Sequence, residues 1–212
     1  MIISHQHKFI FFAVPKTATH SVRELLRMHM GSSDWEQQAL YGKQALPIPA
    51  LAKLIHGHIS VQEIKPHLDA AAWQNYVKFG FVRNPYDRFI SVCFFLNRNN
   101  EQFAGQALSW MKAALSRDQF RQRILVRPQY QQLIDHNGDI ALDYVARYES
   151  IDKSLVELSE LLKLPFSALP TKNSSEHGAY TAYYDDELRE MVSEFYQDDF
   201  KMFNYSYNYK SE

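Results

Sequence analysis

The side chains able to do chemistry gather in two short segments. Pro15-Lys16-Thr17-Ala18-Thr19-His20-Ser21 puts one lysine and three hydroxyls within seven residues. Lysine can lay a mobile ammonium over a phosphate or a leaving oxygen, and the hydroxyls can donate to the remaining oxygens. A helix starting here would add unpaired backbone N–H groups and a positive dipole end, both of which favour an anion. Taken alone, an ordinary helix start capped by Thr19 fits equally well. The second segment, His56-Gly57-His58, holds two of the chain's 9 histidines, side chains that titrate near neutrality and can move a proton. An unremarkable loop pair is the other reading.

The elements around these segments explain how they could be positioned. Residues 8–14 form a compact run rich in Phe and Ile, as in a buried parallel strand, and Pro15 stops it. From Thr19 the apolar residues Val22, Leu25, Leu26 and Met30 recur at helical spacing. Strand, tight turn and helix make half of a βαβ unit, whose ligands sit at the carboxyl end of the strand. The arrangement recurs: residues 76–82 read as a strand, Arg83-Asn84-Pro85 as a turn, and residues 86–96 as a helix. Asn84 suits the N-cap, Pro85 the first helical position and Asp87 the first turn. The two turns are expected side by side at the edge of a parallel sheet. Further on, residues 102–115, 153–162 and 185–196 read as helices and residues 139–148 as a third strand. Residues 31–49 read as loop with short helical pieces, and residues 165–184 as a polar loop. Arg117, Arg121, Arg123 and Arg127 stand against a single acid, Asp118, as a solvated helix face or as a wall toward an anionic ligand.

Composition limits the field. With 212 residues, 46% of them hydrophobic and 22% charged, the chain suits one sizeable core, a single domain over residues 1–212. Its 23 Lys and Arg against 24 Asp and Glu leave a formal net charge of -1, so no broad basic field exists to hold nucleic acid. An anionic ligand must be met by a local cluster. A single cysteine, Cys93, forms no internal disulfide and fits a reducing compartment, and its aromatic neighbours mark it as a core thiol. The early apolar run at residues 9–14 is far short of the roughly twenty residues that span a bilayer, so a cytoplasmic location is expected. No Cys, His or Asp set has metal-ligand spacing. Oligomeric state is not legible.

Residues 15–21 lack the G-x-x-x-x-G-K-[ST] pattern of a Walker A loop. They resemble the 5′-phosphosulfate loop of sulfotransferases, a Pro-Lys-Thr-Gly-Thr-Thr or Pro-Lys-Thr-Gly-Thr-Ser type of segment. Arg83-Asn84-Pro85-Tyr86-Asp87-Arg88-Phe89-Ile90-Ser91 resembles the same family's 3′-phosphate segment, Arg-x-Pro-x-x-Arg followed by a serine. The two come in the family's order, each after a strand. His56-Gly57-His58 is similar to the region of the catalytic histidine in heparan sulfate 2-O-sulfotransferases. Arg147-Tyr148-Glu149 and the ending from Tyr196 to Tyr205 resemble carbohydrate-type members and their short bacterial relatives. Two departures stand out: Ala18 replaces a glycine, which limits positive φ there, and His20 replaces a hydroxyl residue.

The resemblance implies an α/β fold, P-loop-like and three-layered, with a central parallel sheet flanked by helices. It implies 3′-phosphoadenosine 5′-phosphosulfate (PAPS) as donor and a hydroxyl acceptor on a glycan or glycolipid. Pro15, Lys16, Thr17, Ala18, Thr19, His20 and Ser21 would hold the 5′-phosphate, with Lys16 on the leaving group. Arg83 and Ser91 would hold the 3′-phosphate, and Lys172 with Asn173 and Ser174 would close over the nucleotide. His58 would be the base, with His56 next and Glu63 in reserve. Two rivals remain: a P-loop nucleotide kinase, which should show Walker A glycines, and a non-catalytic nucleotide- or glycan-binding protein on the same scaffold.

Overall fold

The computed structural model describes residues 1–38, 46–166 and 178–208. In chain order the elements are β1 (Ile2–Ser4), β2 (Phe9–Phe12), α1 (Thr19–Arg27), β3 (Trp35–Glu36), α2 (Pro49–Ala52), α3 (Val61–Ile64), α4 (Ala70–Asn75) and β4 (Val77–Val82). There follow α5 (Pro85–Leu96), α6 (Phe103–Leu115), α7 (Asp118–Arg121), α8 (Tyr130–Leu133), β5 (Tyr144–Arg147), α9 (Ile151–Leu162), α10 (Asp186–Phe195) and α11 (Gln197–Phe203). They fall into two compact units, Met1–Val82 with Gln129–Pro170, and Arg83–Pro128 with Thr171–Glu212.

The first unit carries a five-stranded sheet in the order β3-β1-β2-β4-β5. β2, β4 and β5 are parallel, Phe12 lying opposite Gly80 and Gly80 opposite Val145, so the carboxyl ends of β2 and β4 are neighbours. β1 runs antiparallel to both β2 and β3. The sheet is therefore mixed: β2, β4 and β5 form the expected parallel part, and the β1 and β3 edge is antiparallel. A hairpin through Lys8, held at φ 54°, returns β1 along β2 and supplies the antiparallel edge. One face of the sheet, including Phe9, Phe11, Phe79 and Phe81, packs against Val22, Leu25 and Leu26 of α1 and Leu155, Leu158 and Leu162 of α9. Ile10 and Phe12 on the opposite face are also fully buried. A strand buried on both faces reads as a continuous apolar run, and for that reason β2 is legible as FIFF.

The second unit is helical. Phe89, Val92 and Cys93 of α5 pack with Met111 and Leu115 of α6 and with Leu188 and Val192 of α10. Asn84 caps α5 by accepting from the Tyr86 N–H at 3.0 Å, with Pro85 at the first helical position. Asp185 caps α10 through the Leu188 N–H and takes an ion pair from Lys112 of α6 at 2.6 Å. Burial drives the Cys93 thiol well above its ordinary pKa, so it stays protonated in the core.

Candidate functional site

The segment between β2 and α1 is a tight turn on strained backbone. Lys16 has φ 63° and Ala18 φ 58°, both in the left-handed region that residues with a side chain rarely occupy. The alanine thus adopts the positive φ that it was expected to limit. Such strain persists only where the surroundings enforce it, and it concentrates at ligand clamps. Ala18→Gly should therefore stabilise the protein by about 0.5–1 kcal/mol, relief of the left-handed strain outweighing the glycine's extra freedom in the unfolded chain. Urea unfolding reads it out, and a loss of stability would mean that the Ala18 methyl makes a contact outweighing the strain.

Two features turn this backbone toward an anion. The first bond of the α1 ladder runs from the Val22 N–H to the Ala18 carbonyl at 3.1 Å, so the N–H groups of Thr19, His20 and Ser21 precede the ladder. Lys16 lies half-buried beside them on the same turn. The hydroxyls serve differently from what their spacing suggests. Thr17 Oγ1 and Thr19 Oγ1 both donate to the Val14 carbonyl, at 2.9 and 2.6 Å, and tie the turn to the end of the strand run. Ser21 is buried, whereas His20 is exposed and turned along the helix to Glu24, 3.2 Å away. Pro15 is buried beneath the turn.

The same strand end receives His58. Its Nδ1 lies 2.6 Å from the Ala13 carbonyl oxygen, which can only accept, so Nδ1 carries the proton and Nε2 bears the lone pair of the neutral ring. His58 is pushed down to about 3, first by burial and then by the charges of the Met1 amino group, Arg23 and His56, against the Ala13 hydrogen bond. A neutral imidazole with Nε2 as its acceptor is the form a general base requires. His56 lies beside it with its ring nearly parallel, centroids 6.1 Å apart.

Residues the sequence did not point to hold this loop. Gln37 Nε2 donates to the carbonyls of Leu51, Leu54 and His56 at 2.8, 3.2 and 3.1 Å. Arg23, buried and paired with Glu36 at 3.3 Å, donates to the Gly57 carbonyl at 3.3 Å. Gln132 Nε2 bridges the Ala13 and Ile59 carbonyls at 3.1 and 3.2 Å, joining the strand end to the histidine loop. A methyl on Gly57 would stand 2.0 Å from the Gln37 carbonyl oxygen, so only glycine fits there. A buried glutamine or arginine has no sequence signature apart from an exposed one. Glu63, the reserve base, accepts from the Ser60 N–H and hydroxyl at 2.7 Å each and closes the capping box of α3.

In the second unit, Arg83 is buried and pairs through Nε with Asp87 at 2.6 Å, and Ser91 is buried on the same helix, α5. Asn84 also donates to the Ser206 carbonyl at 2.9 Å, fastening the turn. Arg88 is structural: it is fully buried, and its Nη2 donates to the Leu125 and Arg127 carbonyls at 3.0 and 2.8 Å. Lys172, Asn173 and Ser174 lie outside the described residues.

The family described as "Sulfotransferase family" matches residues 1–206. Two curated relatives, both named Carbohydrate sulfotransferase 11, from Rattus norvegicus and Mus musculus, are each 24% identical over 243 aligned residues, 97% of this chain and 67% of theirs. No solved structure matches. None of the described helices is long and apolar enough to cross a membrane.

Proposed function

The chain belongs to the sulfotransferase family, and from that premise we propose that it moves a sulfonate from PAPS to a hydroxyl of a carbohydrate acceptor. The observation that carries the reading is the turn at residues 15–21. It combines two left-handed non-glycine residues, Lys16 among them, with a helix start whose first N–H groups precede the hydrogen-bond ladder. That arrangement suits a phosphate bearing a leaving group. PAPS supplies the activated sulfonate. In this reading the N–H groups of Thr17, Ala18, Thr19, His20 and Ser21 hold the 5′-phosphate above Pro15. Lys16 neutralises the charge that grows on the leaving oxygen. Thr17 and Thr19 shape the turn through the Val14 carbonyl instead of donating to the phosphate. Arg83 and Ser91 bind the 3′-phosphate, with Asp87 orienting the guanidinium. His58 takes the acceptor's proton on Nε2, and His56 lines the approach. A carbohydrate acceptor is supported by the two relatives, whose names specify carbohydrate sulfotransferases.

Thermal stability in adenosine 3′,5′-bisphosphate, compared with ATP and AMP, tests the donor. At about a hundred times its Kd the bisphosphate should add roughly 2.7 kcal/mol, and the other two less. A stronger response to ATP, or none to the bisphosphate, would sink the assignment.

A further inference from the structure

We infer that Arg117, Arg121, Arg123 and Arg127 form a docking surface for an acidic polysaccharide, the acceptor chain of the proposed reaction, and the inference rests on that reading for the identity of its partner.

All four side chains are exposed, and none makes an ion pair with a described residue. The one acid within residues 117–127 is Asp118. Their backbone is a run of tight turns: the Arg121 N–H reaches the Arg117 carbonyl at 3.2 Å, and the Arg127 N–H reaches that of Arg123 at 3.0 Å. Arg117 with Arg121, and Arg123 with Arg127, are thus neighbours one turn apart. Three of the four are also held by contacts that leave their charge outward. Arg121 donates through Nε to the Leu115 carbonyl at 2.5 Å and stands 5.7 Å from the centre of the Phe195 ring. Arg127 donates through Nε to the Gln122 carbonyl at 2.9 Å, and Arg123 lies 5.8 Å from the centre of the Phe120 ring. A guanidinium has five N–H donors, so a bond through Nε alone leaves four for oxyanions. The segment beneath is fixed too, its Leu125 and Arg127 carbonyls held by the buried Arg88 and its Val126 carbonyl by Tyr196.

Four exposed guanidiniums spread over eleven residues, three of them held in place and none ion-paired with a described residue, suit a repeating anion. An exposed charge contact is worth only about a twofold gain in affinity, so a lone phosphate would hold poorly. A chain of carboxylates or sulfates engages several arginines at once, and the gains multiply. Nucleic acid fits less well. The formal net charge of -1 supplies no broad basic field, and of the two rings beside these arginines Phe120 is buried and Phe195 is faced by Arg121, so neither is open for a base to stack on.

Binding of the purified chain to hyaluronan, to neutral dextran of similar length and to a single-stranded DNA oligonucleotide, each at low and high salt, tests this surface. The wild-type protein should bind hyaluronan with an affinity that falls steeply as salt rises, and dextran far more weakly. R117Q/R121Q/R123Q/R127Q should bind hyaluronan about tenfold or more weakly. R117Q/R123Q, which spares both Nε–carbonyl bonds, should lose about fourfold and decides the matter if the quadruple variant does not fold. All variants should keep the wild-type thermal response to adenosine 3′,5′-bisphosphate. Wild-type hyaluronan affinity in the variants, equal binding of dextran, or tighter binding of the DNA would overturn the proposal. Loss of the bisphosphate response in the wild-type protein, with arginine-dependent hyaluronan binding intact, would remove the sulfonate reading and leave an acidic-glycan surface.

Discussion

His58→Ala is expected to lower turnover by about 10²–10⁴-fold at pH 7, the usual contribution of a positioned base, while the protein stays folded. The fold should survive because the Ala13 carbonyl keeps a second donor in Gln132 Nε2 at 3.1 Å. Donor affinity should change little, since the turn at residues 15–21 keeps both of its threonine bonds to Val14. The pH dependence sharpens the test. With its pKa pushed down to about 3, His58 is neutral in the free protein throughout the physiological range. In the proposed reaction the negative charge of the bound donor would raise its basicity. The acidic limb of kcat/KM should therefore lie well below the ordinary histidine value of about 6.5, and the variant should lose that limb. Stability carries the same mark with a definite sign. Below about pH 6.5 the unfolded chain takes up a proton that folded His58 refuses, so stability falls as pH drops toward 3, by at most about 1.4 kcal/mol per unit. His58→Ala should flatten that slope in urea titrations. Full activity in the variant would move the base to His56 or Glu63.

Arg88→Ala should destabilise the protein by about 3–5 kcal/mol, a large part of the 5–15 kcal/mol typical of a folded chain. The side chain is fully buried and bridges the Leu125 and Arg127 carbonyls from α5, while Tyr196 donates to the Val126 carbonyl between them at 2.6 Å. Its guanidinium stands 5.7 Å from the centre of the Tyr196 ring. Truncation leaves two acceptors unsatisfied and opens a cavity in the helical core. Arg88→Lys should recover only part of the loss, because an ammonium lacks the planar fork that reaches both carbonyls. A shift below about 1 kcal/mol in urea unfolding would mean that solvent or neighbouring side chains replace both donations. The two arginines of the motif Arg-x-Pro-x-x-Arg therefore serve different ends, Arg83 facing Asp87 at the turn and Arg88 building the core.

Much of the scaffold is legible because each long element satisfies its own local rule. Residues 9–12 are apolar on both faces, as buried strands must be, and residues 77–82 are so apart from Lys78, which pairs with Asp143. Asn84-Pro85 and Asp185 announce their helices through cap chemistry. β1 and β3, at 3 and 2 residues, are too short for an alternation to show. The third strand is shorter than its residue types suggest. Asp135 caps its own turn by accepting from the Asn137 and Asp139 N–H groups, Ile140 bridges back to Ile134, and the ladder to β4 begins at Tyr144. His20 and Glu63 look chemical by type, but the first pairs along its helix surface and the second closes a cap.

What the sequence by itself determined is the turn at residues 15–21 as a helix start bearing a lysine, since residue types and their order after a strand specify it. It could not tell that Thr17 and Thr19 spend their protons on Val14, or that Ala18 would accept a left-handed backbone. Nor could it supply His58 with a tautomer. Those outcomes depend on which carbonyl stands opposite each donor, and Ala13, Ile59 and Gln132 meet only when β2, the histidine loop and α8 pack in the first unit. Hydrogen-bond direction and burial are properties of neighbours, and neighbours far apart in the chain are chosen by the fold.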